Sequence, residues 1–226
     1  MKIIFEIQRR KSVQDKPYIR KLTLETQDTT VVEALDIINA GELADDPIQW
    51  ECSCKQKKCG ACAMLINGRP RLACDAMLSE FPKGIIMLAP LKKFPNVCDL
   101  VVDRSVMYDG LKHFGSWLEG EAVCDDTGIA YEASRCLQCG CCLEVCPNYY
   151  AGGEFFGAAA LVPASRQISE ADKTDGKRLA KAYNEHFHKG CGKSLSCKNV
   201  CPAGIDTERL LVRSNAAAVW RREKRK

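Results

Sequence analysis

The sequence predicts two domains of different class, an α+β domain over residues 1–95 and an all-α domain over residues 96–226. Three observations point there. The first domain opens with two β-type runs and a capped helical run. The second carries apolar residues at three- and four-residue intervals. The cysteines gather in one loop of the first domain and two runs of the second. At 226 residues the chain has room for two domains of about 100 residues, each able to bury a core.

Residues 1–8 and 18–25 read as paired strands joined by a polar turn containing Pro17. A helix follows, because Thr30 and Glu33 have capping-box spacing, Val31, Leu35 and Ile38 repeat on one face, and Gly41 offers a stop. Next comes a loop with Cys52, Cys54, Cys59 and Cys62, then an apolar run, the Asn67-Gly68 pair and Cys74. Cys54, Cys59, Cys62 and Cys74 have the C-x4-C-x2-C spacing, with a distant fourth cysteine, of a plant-type 2Fe-2S site. Such a loop bends so that backbone N–H groups face the cluster sulfides, a close approach that Gly60 permits. Asn-Gly between apolar runs is a hairpin signal, and this hairpin returns Cys74 to the loop. That order is the one expected of a plant-type ferredoxin, or β-grasp, domain. Gly84 to Pro90 reads as its last strand and Leu91 to Pro95 as a short linker.

The second domain reads as helices from Val97 to Glu119, Glu154 to about Ala171, Lys177 to His188, and Asp206, an N-cap, to Arg222. Among them Cys136, Cys139, Cys142 and Cys146-Pro147 keep the spacing C-x2-C-x2-C-x3-C-P of a bacterial ferredoxin. Three thiolates on one tight turn hold three corners of a cube, while the fourth points at a different cluster. The complement is Cys191, Cys197 and Cys201-Pro202, spaced C-x5-C-x3-C-P. Exchange of fourth ligands gives a 4Fe-4S site from Cys136, Cys139, Cys142 and Cys201, and a second site from Cys146, Cys191 and Cys197. Ser194 stands where that second site would take another cysteine. With three thiolates its expected occupant is a 3Fe-4S cluster, and a 4Fe-4S cluster completed by Ser194 or water is the alternative. This all-α half is therefore bacterial-ferredoxin-like.

Structural zinc would use two separated ligand pairs and leave no place for Cys146, Cys191 and Cys197 together. His186 and His188 precede Cys191, but the thiolates already fill that site, so both read as helix-end residues; His113 reads as a helix-surface residue. Cys52, Cys98, Cys124 and Cys141 are left over and read as buried thiols without assigned function, with Cys52 a possible substitute for Cys54. The basic tail from Arg221 to Lys226 reads as a solvated helix end, with attraction to anionic headgroups or an acidic partner as its functional alternative.

A formal charge of +4 and no basic stripe with stacking aromatics argue against nucleic acid. Fifteen cysteines behind a start lacking a secretory apolar region suggest a reducing compartment where thiols serve metals. The longest apolar run, Phe155 to Ala164, contains Pro163 and falls well short of the roughly 20 residues a membrane span needs. No Ser-His-Asp, Cys-His, Walker or Gly-x-Gly-x-x-Gly pattern is present. Three redox sites without a substrate-pocket signature read as an electron conduit.

Taken in order, the plant-type loop, the Asn67-Gly68 hairpin, Asp99 to Asp103, the run ending Cys146-Pro147 and the run ending Cys201-Pro202 resemble the iron-sulfur subunit of succinate dehydrogenase and fumarate reductase. The resemblance covers roughly residues 2–215. It implies a 2Fe-2S cluster nearest an FAD-containing flavoprotein subunit, a 4Fe-4S cluster between, and a 3Fe-4S cluster beside a membrane-anchor (cytochrome b-type) subunit. It further implies a peripheral place on the cytoplasmic face of the inner or cell membrane, with electrons passed singly to or from a quinone near the 3Fe-4S cluster, lined by Pro147 and Tyr149. Ubiquinone-using relatives often carry a tryptophan shortly after the Cys-Pro and a histidine after the next cysteine; here Asn148 to Ala151 and Gly192 occupy those places. The resemblance therefore leans to a menaquinone-type acceptor and the fumarate reductase direction. The alternative is the iron-sulfur subunit of a soluble flavoenzyme acting on another organic acid or a thiol.

Overall fold

Alternation along the first strand lays out the sheet. In β1 (Lys2–Arg9) the side chains of Ile3, Phe5, Ile7 and Arg9 point inward and are fully buried. β2 (Tyr18–Glu25) pairs antiparallel with it along its whole length, from Lys2↔Glu25 to Arg9↔Tyr18. β5 (Ile85–Ala89) lies parallel on its other side, and the hairpin β3 (Ala63–Ile66) and β4 (Arg69–Leu72) completes a mixed sheet of order β2-β1-β5-β3-β4. Helix α1 (Val31–Ala40) buries Val31, Val32, Ala34, Leu35 and Ile38. The capping box is present: Glu33 N–H donates to Thr30 Oγ1, and Thr30 N–H to the Glu33 carboxylate. Gly41 closes the helix by donating to Ile37 O at 3.0 Å.

Residues 1–120 and 127–220 are described by the computed structural model, which forms two units, Met1–Asp103 and Arg104–Lys226. The stretch 96–103, which the sequence reading gives to the second domain, lies in the first unit, and the linker expected at 91–95 is packed, with Leu91 and Phe94 buried. The cause is Asp99, in a short ribbon of β6 (Asn96–Cys98) and β7 (Val101–Val102). Its carboxylate accepts from Arg9 Nε at 3.1 Å, Arg10 N at 2.8 Å and Gln49 N at 2.9 Å. Arg9 meanwhile reaches Asp46 and the carbonyls of Asp46 and Pro47. A buried guanidinium demands such partners, and they pull the ribbon onto the sheet.

In the second unit the helix expected over 97–119 is α2 (Ser105–Phe114). The ribbon takes its front, and Gly115, left-handed at φ 66°, ends it. α3 (Thr127–Ser134), α4 (Cys141–Glu144) and α5 (Gly157–Glu170) follow. α6 (Lys173–Tyr183) starts earlier than expected, because Asp172 Oδ1 accepts from Thr174 N and Asp175 N, each at 2.8 Å. It continues as a π turn, Asn184–His188; then come α7 (Ser196–Asn199), α8 (Thr207–Asn215) and a second π turn, Ala216–Trp220. Asp206 caps α8 through Arg209 N at 3.2 Å. Helix α5 is the spine of this unit. Leu161 joins Phe114, Leu179, Tyr183 and Phe187 in one core, and Val162 joins Ile129, Ala133, Ile205 and Leu210 in another. Among the described residues no helix is long and apolar enough to cross a membrane.

Candidate metal centres

The first centre is the loop between α1 and β3. Lys55 at φ 54° and Lys57 at φ 57° adopt left-handed backbone, as does Gly60 at φ 76°, and the loop's N–H groups turn inward. Cys54 Sγ accepts from Gln56 N and Lys58 N, each at 3.3 Å, and Cys74 Sγ accepts from Lys57 N at 3.2 Å. The hairpin has thus returned Cys74 to the loop. Cys62 and Cys74 are buried, Cys54 is half-buried and Cys59 exposed. Backbone donation, first from Gln56, lowers the Cys54 thiol to about 7, whereas burial pushes Cys62 up to about 12. Backbone donors already aimed at sulfur suit a 2Fe-2S cluster, whose charge they would share. Cys52 is half-buried beside this set, its thiol raised by burial.

The second centre is a pocket walled by Cys136, Cys139, Cys142 and Cys201 with Leu137, Ala158, Ala159, Val162 and Ile205. Gln138, left-handed at φ 48°, turns its amide inward: Nε2 donates to Cys136 Sγ at 3.3 Å and to Ala159 O at 3.1 Å. That carbonyl is available because its partner four residues on in α5 is Pro163, which has no N–H. Burial raises the Cys136 thiol to about 11 and holds Cys142 well above its ordinary value. The Cys141 thiol, fully buried, donates to Cys139 and lowers it to about 7.

The third centre is a pocket walled by Cys146, Cys191 and Cys197, with Pro147, Ser194, Leu195 and Leu211. Lys193 at φ 57° and Leu195 at φ 56° bend the loop around it. Asn148 Nδ2 donates to Gly190 O at 2.6 Å, and a Cβ on Gly192 would stand 3.1 Å from that same amide. Thr207 Oγ1 lies 3.4 Å from Cys197 Sγ. Seven of this unit's cysteines thus surround two pockets in two sets. Among the described residues no three His, Cys, Asp or Glu side chains close on a single metal-ion position. Soft donors spread around a pocket, instead of closing on one point, fit iron-sulfur clusters.

Pro147 and Tyr149 do not meet on one pocket. Pro147 is exposed and lines the third cavity, while Tyr149 is buried and lines a separate pocket with Met107, His113, Phe156 and His186. Burial, with Cys142 nearby, raises its hydroxyl to about 12. His113 is exposed on α2, and His186 and His188 stand on the first π turn; His186 stacks on Phe156 at 4.5 Å and His188 Nδ1 meets Asn215 Oδ1 at 3.1 Å. Cys98 is half-buried beside Asp99; Cys124 and the tail Arg221–Lys226 lie outside the described residues. Sequence reasoning missed Gln138 and Thr207, because it weighed only thiol spacing.

Comparison with known proteins agrees with this arrangement. Residues 4–109 match the family described as the 2Fe-2S iron-sulfur cluster binding domain, and residues 132–205 match the 4Fe-4S dicluster domain. The succinate dehydrogenase iron-sulfur subunit of Bacillus subtilis is 33% identical over 90% of this chain and 87% of its own length. The fumarate reductase iron-sulfur subunit of Wolinella succinogenes is 29% identical over 86% of this chain and 87% of its own. In fold, the chain is similar to one of the solved Mycobacterium smegmatis Sdh1 complex in the apo form, with a TM-score of 0.80 at 23% identity over 96% of this chain and 95% of that one. With cysteine sites in both units and such relatives along nearly its whole length, the chain belongs to the family of iron-sulfur electron-transfer subunits of succinate dehydrogenase and fumarate reductase.

Proposed function

We propose that this chain relays single electrons between an FAD-containing flavoprotein subunit and a quinone held at a membrane-anchor subunit, as a peripheral component on the cytoplasmic face of the membrane. Cys54, Cys59, Cys62 and Cys74 would hold a 2Fe-2S cluster in a plant-type ferredoxin domain. Cys136, Cys139, Cys142 and Cys201 would hold a 4Fe-4S cluster, and Cys146, Cys191 and Cys197 a 3Fe-4S cluster, in a bacterial-ferredoxin-like domain. The clusters supply one-electron chemistry. The chain supplies thiolates, backbone and side-chain donors to sulfur, and apolar walls that keep water from the metal. The observation that carries this reading is the crossed grouping: Cys201 shares a cavity with Cys136, Cys139 and Cys142, and Cys146 shares one with Cys191 and Cys197. Ser194 on the third cavity supports three iron atoms there, since a hydroxyl is a poor iron ligand. Asn148 to Ala151 and Gly192, standing where ubiquinone-using relatives often carry a tryptophan and a histidine, support a menaquinone-type partner and the fumarate-reducing direction.

The test is Cys146→Ser in the full complex. Electron paramagnetic resonance is expected to lose the three-iron signal and keep the 2Fe-2S signal; joint loss of both in a folded protein would sink the ligand partition. Gentle detergent extraction tests the partners. A co-purifying flavoprotein and helical anchor are expected, whereas a soluble flavoprotein alone would favour a soluble flavoenzyme acting on another organic acid or a thiol and move the far end of the relay away from a membrane quinone.

A further inference from the structure

Two side chains line both cavities of the second unit, Ala158 from α5 and Thr207 from α8. Thr207 is the polar one, and it is buried. Its backbone needs are met elsewhere: its N–H donates to Ile205 O at 2.9 Å, and the neighbouring Asp206 caps the helix. That leaves the hydroxyl, 3.4 Å from Cys197 Sγ. Between a hydroxyl and a free thiol either atom can donate. A cysteine bound to iron has lost its proton, so the hydroxyl becomes the donor.

We propose that Thr207 sets the redox potential of the third centre by donating its hydroxyl proton to Cys197 Sγ, from within the wall that separates this centre from the cubane. The idea rests on the cluster assignment above. Donation to a ligand sulfur stabilises the more negative, reduced state, and the potential of a cluster rises with such bonds. Because the hydrogen bond is made to Cys197 and not to a cysteine of the cubane site, it acts on the third centre. Thr207 is thus a positioning residue that acts through Cys197.

The test is a potentiometric titration of the purified complex, followed by electron paramagnetic resonance, for wild type, Thr207→Val and Thr207→Ser. Valine keeps the wall filled and removes the donor; serine keeps the donor and removes a methyl. In Thr207→Val the ratio of reduced to oxidised third centre at a fixed ambient potential is expected to fall on the order of fivefold, with Thr207→Ser close to wild type and the 2Fe-2S centre unmoved. If Thr207→Val does not hold its cluster, Thr207→Ala removes the same donor with less bulk and is read in the same way. An unchanged third-centre potential, or equal shifts in the valine and serine variants, overturns the proposal. A wild-type complex with no third-centre signal overturns the cluster assignment as well, so the two failures are distinguishable.

Discussion

Asp99 has a left-handed backbone at φ 34° and a carboxylate that reaches two segments of the first unit at once. Nothing in its neighbourhood of the sequence announces this, because Arg9 and Gln49 are distant along the chain. Cysteine spacing was legible for the opposite reason: the ligands of one loop are local, and iron chemistry fixes their intervals. Gln138 and Thr207 escaped because their roles depend on which carbonyl or sulfur a fold brings near them. Removing Asp99 takes from Arg9 its buried carboxylate partner and leaves Asp46 and the Pro47 carbonyl, so Asp99→Ala is expected to destabilise the protein by about 3 kcal/mol in urea unfolding. A carboxylate of the second unit gives a pH test. Hydrogen bonds from Gly120 N–H, Arg178 and Glu119 N–H hold Asp175 below the ordinary carboxylate range. Its contribution is therefore complete above the unfolded-state value of about 3.9 and fades as the pH drops through the lower folded value. Asp175→Asn should flatten the acid limb of a stability-against-pH curve below about pH 4 while leaving its slope near neutrality unchanged.

At the scale of elements, caps read from the sequence held, and boundaries set by tertiary contacts did not. Thr30 with Glu33 and Asp206 with Arg209 are short-range hydrogen bonds, visible as spacing. Helix α2 lost its expected front to the ribbon that Asp99 anchors, which no periodicity records. Thr30→Ala is expected to cost about 1 kcal/mol, read by urea unfolding. Pro163 in α5 links an element to a centre, since a proline there leaves Ala159 O for Gln138. Pro163→Ala restores a competing N–H donor. The variant is expected to unfold later on heating and to show a shifted cubane potential, because Gln138 then loses its anchor. An unmoved potential would mean that Gln138 stays in place without it.

At the scale of the molecule, the two classes predicted from the sequence correspond to a mixed sheet with one long helix in the first unit and helices alone, among the described residues, in the main body of the second. The second unit carries two of the three cysteine sites. Seven of its cysteines converge on two pockets, and a metal that binds only the folded arrangement of its ligands adds its binding free energy to folding. Stripping iron from the full chain is therefore expected to lower its calorimetric midpoint by on the order of 10 °C, with the helical signal lost first. The same dependence has a temporal side. Among the described residues, seven non-glycine positions have positive φ, and five of them, Lys55, Lys57, Gln138, Lys193 and Leu195, lie in the cysteine loops. Each holds a conformation the backbone disfavours by on the order of 1 kcal/mol or more unless its surroundings enforce it. A chain that has not yet received metal would leave these loops the least constrained part of its cysteine sites. Bound clusters would then hold these loops in shape, and a chain stripped of iron is expected to be cut by a protease at these loops sooner than the loaded one.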